Sequence, residues 1–281
     1  MNCRPTARLK MFSGNFRRTL LAFTLIEMLL VITIIAIMAA IGIPAIRGFG
    51  ESNSMTAATR QLMDDLALAR LKAINSRATV YVVFVSPDIV KQGFISPNDL
   101  PDAAKLYSGQ YTTYALFTKR QVGEQPGREN PRYLTPWKTL PEKVFIATSK
   151  FARPRSEGLR FSAPYSLTNR PFYFPDATNT VNKMPFPNPT NTPISMPYLA
   201  FNSQGQLISE DENPAGTHKY HDAVIPLARG SIFYARDAEG KLILGQAEPV
   251  ETPPRNSISN YNNIRIDWLT GRARVERREI Q

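Results

Sequence analysis

The run Phe23-Thr24-Leu25-Ile26-Glu27-Met28-Leu29-Leu30-Val31-Ile32 lies in an apolar segment that extends from Leu20 to Ile46 and is closed by Arg47. Glu27 is its one charge, and Met28 to Ile46 are 19 consecutive uncharged residues. At about 1.5 Å of helix rise per residue, this suffices for roughly one crossing of a bilayer's apolar core. Upstream, residues 1–22 carry Arg4, Arg8, Lys10, Arg17 and Arg18 and no acid. Basic residues before the run and few after it predict a cytoplasmic N-terminus, with the rest of the chain on the far side. Three readings fit: a plain signal anchor, a cleaved secretory signal of the twin-arginine type suggested by Arg17-Arg18, or a spanning helix whose carboxylate has a task. A carboxylate within a span costs roughly 2.5–3.5 kcal/mol on insertion scales, so it calls for a partner. No Ala-x-Ala cleavage site follows the run, and Ala40-Ile41-Gly42 is the nearest approach.

Composition narrows the class. The chain has 281 residues, 34 basic and 23 acidic side chains, one cysteine, 23 prolines and 43% hydrophobic residues. One thiol excludes an intrachain disulfide scaffold. The apolar content excludes a wholly disordered chain, and a single spanning-length run excludes a polytopic membrane protein. The formal charge of +11 suggests nucleic acid or an anionic surface. However, five of those cations precede Phe23, and without them 29 basic residues face 23 acidic ones. Much of the charge is therefore a topology signal, and Cys3 lies in the same leader.

The order small residue, Phe, Thr, Leu, Ile, Glu and then an apolar helix, met here by Ala22 to Ile32, resembles the cleavage and methylation segment of type IV prepilins and pseudopilins. The resemblance implies that a membrane-embedded prepilin peptidase cuts between Ala22 and Phe23, and that the new Phe23 amine is N-methylated. It implies that Glu27 faces the N-terminal ammonium of a neighbouring subunit, which gives the buried carboxylate its partner. Pro44 lies at a depth where pilin helices kink or melt locally on assembly. The family usually has glycine where this chain has Ala22.

Beyond the apolar run, Met55, Ala58, Leu62, Leu66, Ala69 and Ala73 recur at spacings of three and four, with Arg60, Asp64, Lys72 and Asn75 off that face. The pattern predicts a helix over 23–76, with 23–47 spanning the membrane, and a head over 77–281. In the head, Thr79–Val85, Tyr111–Thr118 and Lys143–Thr148 read as strands. Tyr198–Phe201 and Gln206–Ile208 read as a hairpin about Asn202-Ser203-Gln204-Gly205. Ala223–Leu227 and Ser231–Tyr234 read as a pair about Arg229-Gly230, with Pro226 placing the first at an edge or bulge. Asn263–Trp268 and Arg272–Arg278 form the last hairpin about Leu269-Thr270-Gly271. Eight prolines within 164–197 predict an extended loop over the head surface, and a second loop is expected over 87–102. One long helix followed by strands predicts an α+β fold, mainly an antiparallel sheet or sandwich with proline-rich insertions.

Leu62, Asp65-Leu66, Ala69-Arg70, Ala73-Ile74, Arg77 and Val80 resemble the helix-to-strand passage of the GspH/FimT branch. The large head and Trp137…Leu140-Pro141-Glu142 are also similar to the prepilin-type proteins called Verru_Chthon cassette protein D. The resemblance implies a minor pseudopilin or pilin-like subunit of a type II secretion or type IV pilus machine. Such a subunit sits in the inner membrane with its head in the periplasm, is not an enzyme, and needs no cofactor. Its partners are the prepilin peptidase and other pilins. Two alternatives stay open: a FimT-like DNA-binding minor pilin, and a membrane-anchored periplasmic binding protein that never polymerises. For the first, Gly271-Arg272-Ala273-Arg274 matches a G-R-x-R pattern, and even spacing puts Arg272, Arg274 and Arg278 on one strand face, together with Glu276. His218 and His221, beside Asp211, Glu212 and Asp222, lack a structural zinc spacing and read as an exposed polar loop without metal. No nucleophile elbow and no phosphate-cradling glycine loop is present.

Overall fold

The structure, a computed structural model, describes residues 24–89, 95–125, 128–152, 172–173, 183–208, 221–240, 243, 245–259 and 262–277, with positions 41–52, 88 and 277 described through the backbone alone. The chain divides into two units, Met1–Phe49 and Gly50–Gln281. Helix α1 is Leu25–Ser76, 52 residues.

Within the second unit, α1 buries the stripe expected from its spacing. Met55, Ala58, Leu62, Leu66, Ala69 and Ala73 are each at most 5% exposed, while Arg60, Asp64 and Asn75 face solvent. Residues three and four apart share a helix face, and three of the six are alanines, which lets the sheets approach closely. The helix closes by a double return of its last turn. The Arg77 N–H donates to the Ile74 carbonyl and the Ala78 N–H to that of Ala73, both at 3.3 Å, with Arg77 at a left-handed φ of 46°.

The head is built from two antiparallel sheets and a small hairpin. The first sheet comprises β1 (Val80–Phe84), β2 (Thr113–Thr118), β3 (Arg132–Tyr133), β4 (Lys138–Thr139), β8 (Tyr198–Phe201) and β9 (Leu207–Ile208). Its order is β3-β2-β1-β8-β9, with β4 also on β2. Between β1 and β2 lies the short helix α2 (Leu100–Ala104), within the stretch expected to be a loop. β1 is apolar throughout because both its faces are covered. Val80, Val82 and Phe84 join the α1 stripe, whereas Tyr81, Val83 and Val85 face a second cluster.

That second cluster corrects the expectation for the proline-rich segment. Its described part is not a surface loop: Met184, Phe186, Ile194 and Met196 are buried against Tyr81, Val83, Phe117 and Tyr198. Phe172 stacks on Phe84 with ring centroids 4.3 Å apart. Prolines limit the ladder here to the two-residue strands β6 (Met184–Pro185) and β7 (Pro193–Ile194). They do not prevent an extended chain from covering a sheet face with alternate apolar side chains.

The second sheet holds β5 (Val144–Ile146), β10 (Ala223–Phe233), β11 (Glu248–Glu251), β12 (Asn262–Ile266) and β13 (Ala273–Arg277). The pair expected at 223–227 and 231–234 is instead one strand of 11 residues, β10. Gly230 is no turn; it marks a change of neighbours. Its N–H donates to Lys143 at 3.0 Å, and a Cβ there would lie 1.9 Å from the Val250 carbonyl oxygen. Pro226 is inside the sheet, opposite Asn263 of β12. Its carbonyl accepts from Ala147, one residue past the end of β5, at 3.0 Å. Its nitrogen points the same way, so the missing N–H falls where that neighbouring strand has ended.

β11 and β12 flank the same edge of β10, because the Arg229 carbonyl, directed away from β5, accepts from Thr252 at 2.9 Å. The intervening residues, with helix α3 (Asn256–Ser259), interrupt that neighbouring strand. Asn256, 4% exposed, fills the gap. Its Oδ1 accepts from the Arg229 N–H at 2.8 Å and its Nδ2 donates to the Arg229 carbonyl at 2.7 Å. A side-chain amide thus takes the place of a missing peptide group.

Candidate functional site

Two places were singled out by the sequence: the start of α1 and the C-terminal hairpin. At the first, Ala22 and Phe23 lie outside the described residues. Thr24 is non-helical and α1 begins at Leu25. The Glu27 N–H donates to Thr24 Oγ1 (3.3 Å) and to the Thr24 carbonyl (3.1 Å), which also accepts from Met28 (3.2 Å). Thr24 is therefore the N-cap and Glu27 the third helical residue, the spacing of a capping box. Sequence reasoning treated Thr24 and Glu27 as parts of a processing motif and passed over this signal. A carboxylate in the first turn also complements the helix dipole.

In this first unit every described side chain from 24 to 40 is exposed, including Leu25 at 85% and Ile26 at 75%. Glu27 is the only charge among them, so an apolar surface surrounds one carboxylate. Among the described residues no helix is long and apolar enough to cross a membrane. The side chains described here end at Ala40, short of the roughly 20 residues a span needs. Pro44 lies within α1 and is described through its backbone alone.

The C-terminal hairpin pairs β12 with β13, Arg265 opposite Arg274 and Asn263 opposite Glu276. Its turn is fixed by Asp267, whose Oδ1 accepts from the Thr270 N–H (2.7 Å) and Thr270 Oγ1 (2.8 Å). These bonds hold the Asp267 carboxyl below the usual aspartate range. Gly271 has φ of 63°, and a Cβ on it would sit 1.9 Å from the Gly205 carbonyl oxygen. Arg70 of α1 donates from Nε to the Thr270 carbonyl at 2.6 Å. Arg70 and Gly271, both noted as motif residues, thus join the helix to the turns at 202–205 and 267–272.

Arg272 and Arg274 are exposed on this hairpin, and Arg278 lies outside the described residues. Acids accompany them. Glu276 Oε1 is 2.8 Å from Arg265 Nη1 and 3.8 Å from Arg274 Nη2. Arg265 also reaches Asp222 Oδ2 at 2.6 Å, and bonds to Glu276 and Asp222 hold its guanidinium above the ordinary arginine value. Asp222 Oδ1 accepts from the Trp268 N–H at 3.0 Å. The face is a network of mixed sign, with two cations directed to solvent.

Asp222 is thus tied into the hairpin, while Asp211, Glu212 and His218 lie outside the described residues. Among the described residues no group of three histidine, cysteine or carboxylate side chains could hold a metal ion. One polar cluster escaped sequence reading. Asp65, 5% exposed, accepts from Tyr114 Oη (2.7 Å) and Lys138 Nζ (2.6 Å), and Gln61 Nε2 donates to Tyr114 Oη and to the Thr139 carbonyl, both at 3.1 Å. Burial, then the Asp65 carboxylate, pushes the Tyr114 phenol upward. The available signal was an acid beside Leu66 on the apolar face, with Gln61 one turn earlier. Comparison with known proteins finds no matching family model, no matching curated protein and no matching solved structure.

Proposed function

We propose that this chain is a prepilin-like protein: a non-enzymatic minor subunit of a type II secretion pseudopilus or type IV pilus machine. The observation that carries the reading is the division of α1. Its described first part presents apolar residues around the single charge of Glu27, while its second part buries the Met55–Ala73 stripe beneath two antiparallel sheets. An unpaired carboxylate on an apolar helix is costly in a membrane or filament core until an ammonium reaches it. In this reading residues 23–47 span the inner membrane, the basic leader stays cytoplasmic, and the head is periplasmic. A prepilin peptidase cuts between Ala22 and Phe23, and the Phe23 amine is methylated. Glu27 then pairs with the Phe23 ammonium of a neighbouring pilin, with local adjustment of the helix near Pro44. The test is the mature N-terminus: methylated Phe23 supports the reading, whereas a retained Met1 supports an anchored binding protein that never polymerises.

Binding of DNA by the head is a second reading, favoured by the exposure of Arg272 and Arg274 on one strand face. Glu276 beside them and the structural work of Gly271 weigh against it. Salt-sensitive binding of duplex DNA that Arg272→Ala with Arg274→Ala abolishes would support it.

A further inference from the structure

The prepilin motif assigns no task to Thr24, yet Thr24 makes the first contacts of α1. Its carbonyl is the first that the described helix uses, accepting from Glu27 at 3.1 Å and Met28 at 3.2 Å. Its hydroxyl accepts a further bond from the Glu27 N–H at 3.3 Å. The first amides of a helix have no partners within it, and a capping side chain fixes where the ladder starts. In apolar surroundings the penalty for unpaired amides rises, so an uncapped start slides toward water. For this chain that direction is upstream, toward the basic leader.

We infer that Thr24 is a positioning residue for processing: its cap stops α1 at Leu25 and keeps the helix from extending through the Ala22–Phe23 bond. The inference rests on the prepilin reading. Hydrolysis adds water across that bond, hydroxyl to the Ala22 carbonyl carbon and hydrogen to the Phe23 nitrogen, releasing the leader carboxylate and the new amine. A peptidase needs access to that carbonyl, and enrolment of the bond in a helical ladder withholds it. The Thr24–Glu27 box is thus a stop signal two residues beyond the cut, and it fixes the first-turn position from which Glu27 projects.

The experiment uses the full-length precursor in proteoliposomes with a purified prepilin peptidase, following mature chain by intact mass. Thr24→Val keeps the β-branched shape but removes the oxygen, and processing should slow about fivefold, the population change expected for loss of one cap. Thr24→Ser and Thr24→Asn both restore a capping oxygen with different shapes, and each should run within about twofold of the native rate. Amide exchange at Glu27 should accelerate in Thr24→Val alone. Equal processing of Thr24→Val and native chain overturns the inference. So does slow processing of all three variants, which would mean that the peptidase reads the threonine side chain itself. Failure of the native precursor to be cut at Ala22–Phe23 instead removes the prepilin reading on which the inference stands.

Discussion

Replacing Lys138 by Met tests how the head is fastened to α1. Lys138 Nζ lies 2.6 Å from Asp65 Oδ1, with side chains 34% and 7% exposed respectively. The methionine retains the aliphatic stem but leaves the carboxylate with the Tyr114 hydroxyl at 2.7 Å and no cation. Removing one partner of a buried pair costs about 3–5 kcal/mol, because the other charge stays buried. Lys138 is one-third exposed and Asp65 cannot withdraw to water, so the lower half of that range applies. Asp65→Asn is the control. It keeps an acceptor for Tyr114, and it releases a lysine that can reach solvent, so it should cost only about 1–2 kcal/mol. The assay is denaturant unfolding of the full chain in detergent micelles, read by tryptophan fluorescence. Trp137 adjoins Lys138 and packs on Tyr133 and Phe186 at 5.1 and 5.4 Å. Equal losses in the two variants, or a loss below about 1 kcal/mol in Lys138→Met, would refute the argument that burial of Asp65 sets the cost.

Asn256→Ala should lower stability by about 2–4 kcal/mol in the same assay, since the Arg229 N–H loses its acceptor and two carbonyls lose a donor. Gly271→Ala should cost about 3 kcal/mol or more through its left-handed φ and the clash with Gly205, while Arg272→Ala stays within about 0.5 kcal/mol. Arg77→Gly should stabilise by about 1 kcal/mol, because a residue with a Cβ now occupies the left-handed position that ends α1. The depressed carboxyl of Asp267 contributes stability that is complete above the ordinary aspartate value of about 3.9 and is lost as pH falls through its lower folded value. An NMR titration should find that midpoint below the ordinary value, and Thr270→Val should raise it.

The helix and its buried stripe were legible because spacing alone dictates a face. All six residues from Met55 to Ala73 lie where periodicity puts them. The hairpins at 202–205 and 267–272 were legible for the same local reason, glycine at a turn. Gly230 misled because glycine also serves where two backbones approach closely, and only the position of Val250 distinguishes the cases. Pro226 misled because a missing N–H excludes a residue from a ladder only if a strand lies opposite it, and β5 ends there. In the proline-rich segment the eye follows the prolines, but Phe172, Met184, Phe186, Ile194 and Met196 carry the packing energy. At the start of α1, a family motif and a capping box occupy the same residues, and the family motif hid the local physics of Thr24. Asp65 could not be paired from sequence, since its partners Tyr114 and Lys138 lie 49 and 73 residues away.

Glu27 links the helix start to assembly, and two substitutions separate its roles. Glu27→Gln preserves a capping partner and removes the charge, whereas Glu27→Ala removes both. Both should be processed, and both should fail to enter a filament if charge pairing is what matters. Normal incorporation of Glu27→Gln would assign the residue to capping alone.

The measurement that bears most directly on the central proposal is the intact mass and N-terminal sequence of the chain purified from membranes of its own host. The account predicts loss of residues 1–22 and a first residue of N-methylated Phe23. A chain that begins at Met1, or one cut beyond the apolar run, would contradict it.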